Sequence, residues 1–179
     1  MNYLTTDRLI LRDWQERDKE PFARMNADAE VMRYFPNVLS SADSDIMMEA
    51  IQSRIEENHY GFFAVEHRQT GAFIGFIGLN SPKIDYPFNP CIEVGWRLDK
   101  AYWGYGLATE GALACLDFGF DKCGFDKIVS FTASTNLPSQ RVMQKIGMRF
   151  VYEFDHPTIP SISPLFKHVL YQITQSQFY

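Results

Sequence analysis

Residues 93–110 read EVGWRLDKAYWGYGLATE, which puts a strand, a glycine-rich turn and the first turn of a helix in immediate succession. Glu93 to Leu98 alternates short apolar with larger residues around Gly95, the pattern of a strand that bends or bulges. Ala101 to Thr109 then sets Gly104, Gly106 and Ala108 where the chain must turn tightly and offer bare backbone N–H groups. From Leu107 onward the period is helical, with Leu113, Leu116 and Phe120 on one face and Glu110, Asp117 and Asp121 on the other. A small-residue loop feeding a helix N-terminus is an anion site, because unsatisfied N–H groups and the helix dipole converge there. The implied guest carries phosphate.

Three phosphate-binding loops compete for this stretch. A P-loop needs Gly-Lys-Ser/Thr after its first glycine and four further residues, and no such lysine follows here. A dinucleotide fingerprint needs G-x-G-x-x-G after the opening strand of a βαβ unit. Here Thr109 stands at the third glycine and several strands precede, although Asp126 falls about twenty residues on, as that motif wants. The third loop fits better. Strand, W-G-x-G-x-A-T-E, helix, then N-x-x-S and a second helix resembles the acetyl-CoA-dependent N-acetyltransferases of the GNAT superfamily, specifically the RimJ/RimL-like branch that acetylates protein N-termini.

The resemblance extends over nearly the whole chain. TTDRLILRDW at 5–14 is similar to the opening strand of that branch, EVMRYFP at 30–36 to the segment after its first helix, and NLPSQRVMQKIGMRFV at 136–151 to its closing helix and strand. The superfamily loop, Gln/Arg-x-x-Gly-x-Gly/Ala, falls on Trp103, Gly106 and Ala108; the tryptophan departs from the general pattern but suits the branch.

What the resemblance implies is direct transfer of an acetyl group from acetyl-CoA, as cosubstrate, to an amine. Trp103, Gly104, Tyr105, Gly106, Leu107, Ala108 and Thr109 would hold the pyrophosphate. The strand carrying Val94, Trp96, Arg97 and Leu98 would pair with the pantetheine amides and aim a backbone N–H at the thioester oxygen, while Asn136, Ser139 and Arg141 would flank the pantetheine arm. Glu93 is the first candidate for the base, against the plainer reading of a solvated strand carboxylate. Glu110 is its rival, but a glutamate in the first helical turn more simply complements the dipole and braces the loop. Many members place a tyrosine seven residues after the capping asparagine to protonate the leaving thiolate. That position is Met143 here, which has no proton to give; the resemblance to the RimJ/RimL-like branch implies that Ser139, three residues after Asn136, takes the role, against the plainer reading of a first-turn serine that bonds a free backbone group.

The rest of the chain is consistent with one domain over 1–179, rich enough in apolar residues to bury a core. A formal charge of −5 argues against nucleic acid and anionic membrane as partners and mildly favours a cationic one; the resemblance implies an amine acceptor, a peptide N-terminus or a small molecule. No apolar stretch is long enough for a signal peptide or a membrane span, so the cytoplasm is the expected location. Cys91, Cys115 and Cys123 lack CxxC spacing, and His59, His67, His156 and His168 are scattered, so neither a disulfide frame nor a metal site is expected. Cys91 could serve a ping-pong route only with a paired histidine, and none stands near it in sequence.

Leu4 to Trp14 reads as one strand, with Asp13 able to cap the helix Glu16 to Ala29. A second helix runs from about Ser40 to Asn58. Phe62 to Glu66 and Ala72 to Leu79 form a hairpin, and the proline-rich Ser81 to Pro90 is a loop whose Tyr86, Phe88 and Asn89 either line the acceptor side or merely cross over. Lys127 to Ala133, Phe150 to Phe154 and His168 to Thr174 are the later strands, with a helix capped by Asn136 and closed by Gly147. The expected fold is α/β (α+β): a mixed, mostly antiparallel twisted sheet flanked by helices on both faces.

Overall fold

Alternation of apolar residues builds the sheet, and the computed structural model describes it over all residues, 1–179. Its strands are β1 (Asn2–Thr5), β2 (Leu9–Arg12), β3 (Phe62–His67), β4 (Ala72–Asn80), β5 (Glu93–Leu98), β6 (Lys127–Ala133), β7 (Arg149–Asp155) and β8 (Lys167–Thr174). They lie in the order β1-β2-β3-β4-β5-β6-β8-β7. Every neighbouring pair is antiparallel except β5 and β6, which are parallel.

The helices are α1 (Lys19–Ala27), α2 (Ser41–Asn58), α3 (Leu107–Asp121), α4 (Leu137–Lys145) and a short α5 (Gln175–Phe178), which the sequence pattern did not suggest. Neighbouring residues of β4 show that they cover two faces. Ile77 and Leu79 pack beneath α3, where a Cβ at Gly111 would come 2.4 Å from Ile77 Cδ1 and one at Gly119 2.9 Å from Leu79 Cδ1. Asn80, next in the strand, turns to the opposite side and accepts a hydrogen bond from Arg54 of α2 at 3.2 Å. Since successive strand residues alternate faces, α2 and α3 sandwich the sheet. The main core lies between these layers, with Leu9, Leu11, Phe22, Phe63, Ile77, Leu116 and Phe120 at most 1 % exposed.

Several expectations need correction. The first strand is broken into β1 and β2 by the turn at Thr6–Arg8, whose polar groups are held by Glu110 of α3. Asp13 does not cap a helix; it accepts from the Tyr3 hydroxyl and pairs with the terminal amine, and Gln15 with Asp18 forms the capping box instead. Leu113 lies on the exposed side of α3, whose buried face is Leu107, Ala112, Cys115, Leu116 and Phe120. The bulge expected at Gly95 sits in the β3–β4 pair near Gly75 (φ 135°), while β4 and β5 keep continuous register.

Candidate functional site

The parallel β5–β6 junction organises the site. The two strands pair only at Glu93 and Val129 and separate beyond that point, while β5 stays paired along its other edge with β4. Ser130 Oγ donates to the Val94 carbonyl at 2.9 Å and the Trp103 indole N–H donates to the Leu98 carbonyl at 2.8 Å. Both carbonyls therefore point away from β4, and the alternation of an antiparallel ladder aims the Trp96 N–H and C=O the same way, into the gap. An open strand edge can take an extended amide-bearing guest as an added strand.

The glycine-rich turn follows directly. Asp99 receives the Ala101 N–H at 2.9 Å, and Gly104 (φ 83°) and Gly106 (φ 78°) adopt the left-handed conformation that side-chain-bearing residues avoid. Trp103, Gly104, Tyr105 and Gly106 are exposed, Leu107 is buried, and Ala108 and Thr109 are half-buried at the start of α3. No side chain caps the free N–H groups of this helix start. Glu110 braces the turn from below: it accepts from the Thr6 hydroxyl at 2.6 Å, the Arg8 N–H at 2.9 Å and Arg8 Nε at 2.6 Å. Burial alone would raise its pKa, but these hydrogen bonds outweigh burial and hold it below the ordinary carboxylate value. Such a carboxylate is a poor base. Arg8 in turn donates to the Tyr105 carbonyl at 2.8 Å, which sets a guanidinium beside the turn. Arg8 carries no local signal in the sequence, because Glu110, the partner that holds it, lies in a distant segment.

At the start of α4, Asn136 accepts the Ser139 N–H at 3.3 Å, the geometry of a helix N-cap. Its amide group donates to Thr132 Oγ1 at 2.9 Å and to Ser139 Oγ at 3.1 Å, so both of its hydrogens are engaged. Ser139 Oγ thus accepts from Asn136 and keeps its own hydrogen free to donate. Met143 is packed in the core at 1 % exposure, and Arg141 points to solvent.

On the other side of the junction Glu93 is half-buried, with its Oε1 receiving the Asn80 amide at 2.6 Å while Asn80 receives Arg54. Burial raises the Glu93 pKa to about 7, against the pull of Asn80 and Arg54. A carboxyl group poised near neutrality is what a general base requires. Asn80 and Arg54 escaped the sequence reading because each is an ordinary polar residue until the fold brings it to Glu93. Cys91 is unsuited to nucleophilic work: burial pushes its thiol up to about 11, and its hydrogen-bond partner is the Asn89 side chain.

The loop at 81–90 lies against β6, β7 and β8. Tyr86 is buried, stacked with Phe88 at 5.2 Å, packed on Phe131 and bonded to His156 Nε2 at 3.1 Å. Asn89 donates back to the Ile84 carbonyl. Tyr86 and Asn89 therefore fasten the loop, and Phe88 stays half-buried over Phe131 and Phe154. His168 is buried beside His156, and burial, reinforced by that neighbour, pulls its pKa down to about 4. Arg97 sends its side chain to the face of β5 that carries Glu93, where Nη1 donates to Asn26 of α1 at 2.7 Å. No three His, Cys, Asp or Glu side chains gather as a metal site, and no helix is long and apolar enough to cross a membrane.

Comparison with known proteins bears on the domain as a whole. Residues 8–149 match the acetyltransferase (GNAT) domain model. The chain is 30% identical over 148 residues to the Bacillus subtilis (strain 168) protein named "Uncharacterized N-acetyltransferase YnaD", covering 82% of each. Among solved structures, a GNAT-family acetyltransferase from Bacillus anthracis superposes with a TM-score of 0.81 at 26% identity, covering 97% of this chain and 98% of that one. RimJ of Mycobacterium smegmatis, solved in complex with CoA-disulfide, shares the fold at a TM-score of 0.75 and 16% identity over 94% of this chain and 82% of its own.

Proposed function

The chain belongs to the GNAT family of acetyltransferases, and on that premise we propose that it moves the acetyl group of acetyl-CoA directly to a primary amine, as the RimJ/RimL-like branch does. The observation that carries this reading is the open edge of β5 at the point where β6 departs, with Glu93 at the junction and Ser139 in the first turn of the helix that follows β6. Coenzyme A fits the groups on that side of the sheet. Its pyrophosphate meets the uncapped N–H groups of Gly106 to Thr109, with Arg8 adjacent; Trp103, Gly104 and Tyr105 shape the approach. The pantetheine amides pair with the Val94–Leu98 edge, and Asn136 exchanges one internal hydrogen bond to reach them, with Arg141 at the solvent side of α4.

Each chemical step then has a group. An attacking amine must be neutral, and Glu93, with its pKa near 7, takes the proton directly or through water. As nitrogen bonds to the carbonyl carbon, negative charge grows on the thioester oxygen, where the Trp96 N–H stabilises it. Collapse of the tetrahedral intermediate breaks the carbon–sulfur bond, and the Ser139 hydroxyl hydrogen-bonds the departing thiolate or relays a proton to it. The acceptor is a peptide N-terminus or a small amine. The test is thiol release from acetyl-CoA with N-terminal peptides, polyamines, aminoglycosides and amino acids. Turnover that depends on one of these amines is expected. Tight coenzyme A binding without turnover on any would replace this reading with that of a non-catalytic acyl-CoA sensor.

A further inference from the structure

Arg97 is a buried cation without an anion. Its side chain is 8 % exposed, between β5 and the α1–α2 layer. Nη1 donates to Asn26 and lies 3.8 Å from the Met47 sulfur, while Nε is buried with no hydrogen-bond partner. The Phe35 ring covers the guanidinium plane at 4.2 Å, and Phe76 lies 5.3 Å away. No Asp or Glu pairs with it, and burial by itself lowers its pKa to about 10, so it stays charged at neutral pH. Removing a guanidinium from water without a counter-charge is costly, and only the Asn26 hydrogen bond and the Phe35 and Phe76 rings offset that cost, so Nε is left able to take an anion.

The position says what that guest is. Arg97 and Glu93 are four residues apart on one strand, hence on the same face, with Cα atoms about 13 Å apart. Between them Gly95 contributes no side chain and the Phe62 ring fills the vacated space, its edge 3.0 Å from where a Cβ would be, so an acceptor that reaches both groups crosses that ring. Phe35 is 39 % exposed, so the guanidinium lies one side chain below the surface. We propose that Arg97 is the carboxylate-recognition residue of the acceptor subsite: the amine is presented at Glu93 and a carboxylate on the same acceptor, several bonds away, docks on the free Nε edge of Arg97 as Phe35 yields. A planar fork with one free edge matches a carboxylate, and a single cation balances one negative charge. A phosphate would bring more charge than this site compensates.

This specificity rests on the acetyl-transfer reading, so its test has two independent readouts. The full chain is assayed with dipeptides and ω-amino acids bearing a free carboxylate, each beside its carboxamide. Thermal stabilisation by the same compounds is measured without acetyl-CoA. The carboxylate forms are expected to show kcat/KM about ten- to a hundredfold above their amides, the range of one charged hydrogen-bonded pair, and to stabilise the protein selectively. Arg97→Met should abolish both preferences, and Arg97→Lys should retain part of them, because it keeps the charge and loses the fork. Selective stabilisation without turnover would support the subsite and count against acetyl transfer. Equal turnover and equal stabilisation by acids and amides in the wild type would overturn the subsite whatever the folding of the variants, as would full selectivity in Arg97→Met.

Discussion

Replacing Glu93 by glutamine separates its charge from its shape. The amide keeps an oxygen for the Asn80 hydrogen bond but cannot ionise. In the wild type the folded pKa of about 7 stands above the ordinary 4.5. The folded state therefore binds a proton more readily than the unfolded chain, and the stability this gives is present below about pH 4.5 and lost as pH rises through 7. At about 1.4 kcal/mol per tenfold, that interval corresponds to about 3 kcal/mol. Glu93→Gln does not suffer this loss. Thermal melts of both proteins between pH 4.5 and 8.5 should show the variant gaining on the wild type by roughly 6–12 °C, since a chain of this length moves about 2–4 °C per kcal/mol. Taking the difference cancels every other titrating group. In the kinetic arm, wild-type kcat/KM should rise through a limb near pH 7 that the variant lacks, with turnover at pH 8 lower by about a hundredfold or more. A constant difference in melting temperature across the range, together with an unchanged rate profile, would refute both the raised pKa of Glu93 and its role as base.

Gly106→Val forces a branched side chain into φ 78° at the mouth of the turn; acetyl-CoA affinity should vanish in a folded protein, and calorimetry showing normal affinity would move the pyrophosphate elsewhere. Ser139→Ala should lower kcat by about ten- to a thousandfold with little change in acetyl-CoA affinity, and full activity on a good acceptor would turn attention to Tyr102, Tyr105 or bulk water. His168 has its pKa lowered from 6.5 to about 4, so the stability it confers is complete above about 6.5 and drains as pH falls toward 4; His168→Phe should flatten that part of the melting profile, and an unaltered acid limb would show that the buried histidines do not set it.

The glycine-rich turn, the helix after it and the Asn136 cap were legible because each is a local device. Left-handed glycines, a small-residue helix start and an N-cap are written in adjacent residues, and the structure keeps them where the pattern puts them. The break between β1 and β2 was not legible. Leu4 to Trp14 alternates well enough for one strand, and only the carboxylate of Glu110, far along the chain, makes the turn at Thr6–Arg8 worthwhile. The same holds for Asn80 and Arg54, ordinary polar residues until β4 pairs with β5 and α2 folds over them. Leu113 was misplaced because α3 is apolar round most of its circumference, so its period alone does not choose the face; the glycines that let it approach Ile77 and Leu79 do. Position alone groups Arg97 with the cofactor strand. Alternation sends its side chain to the face of Glu93, and only the packing of Asn26 and Phe35 shows what surrounds it.

The most direct measurement is a crystal structure of the protein with coenzyme A bound. The pyrophosphate should lie on the backbone N–H groups of Gly106 to Thr109, the pantetheine should run along the Val94–Leu98 edge, and the sulfur should come within hydrogen-bond reach of Ser139 Oγ, with Glu93 facing it across the gap. Coenzyme A found away from the β5–β6 divergence, or with its sulfur directed away from both Ser139 and Glu93, would contradict the proposed site.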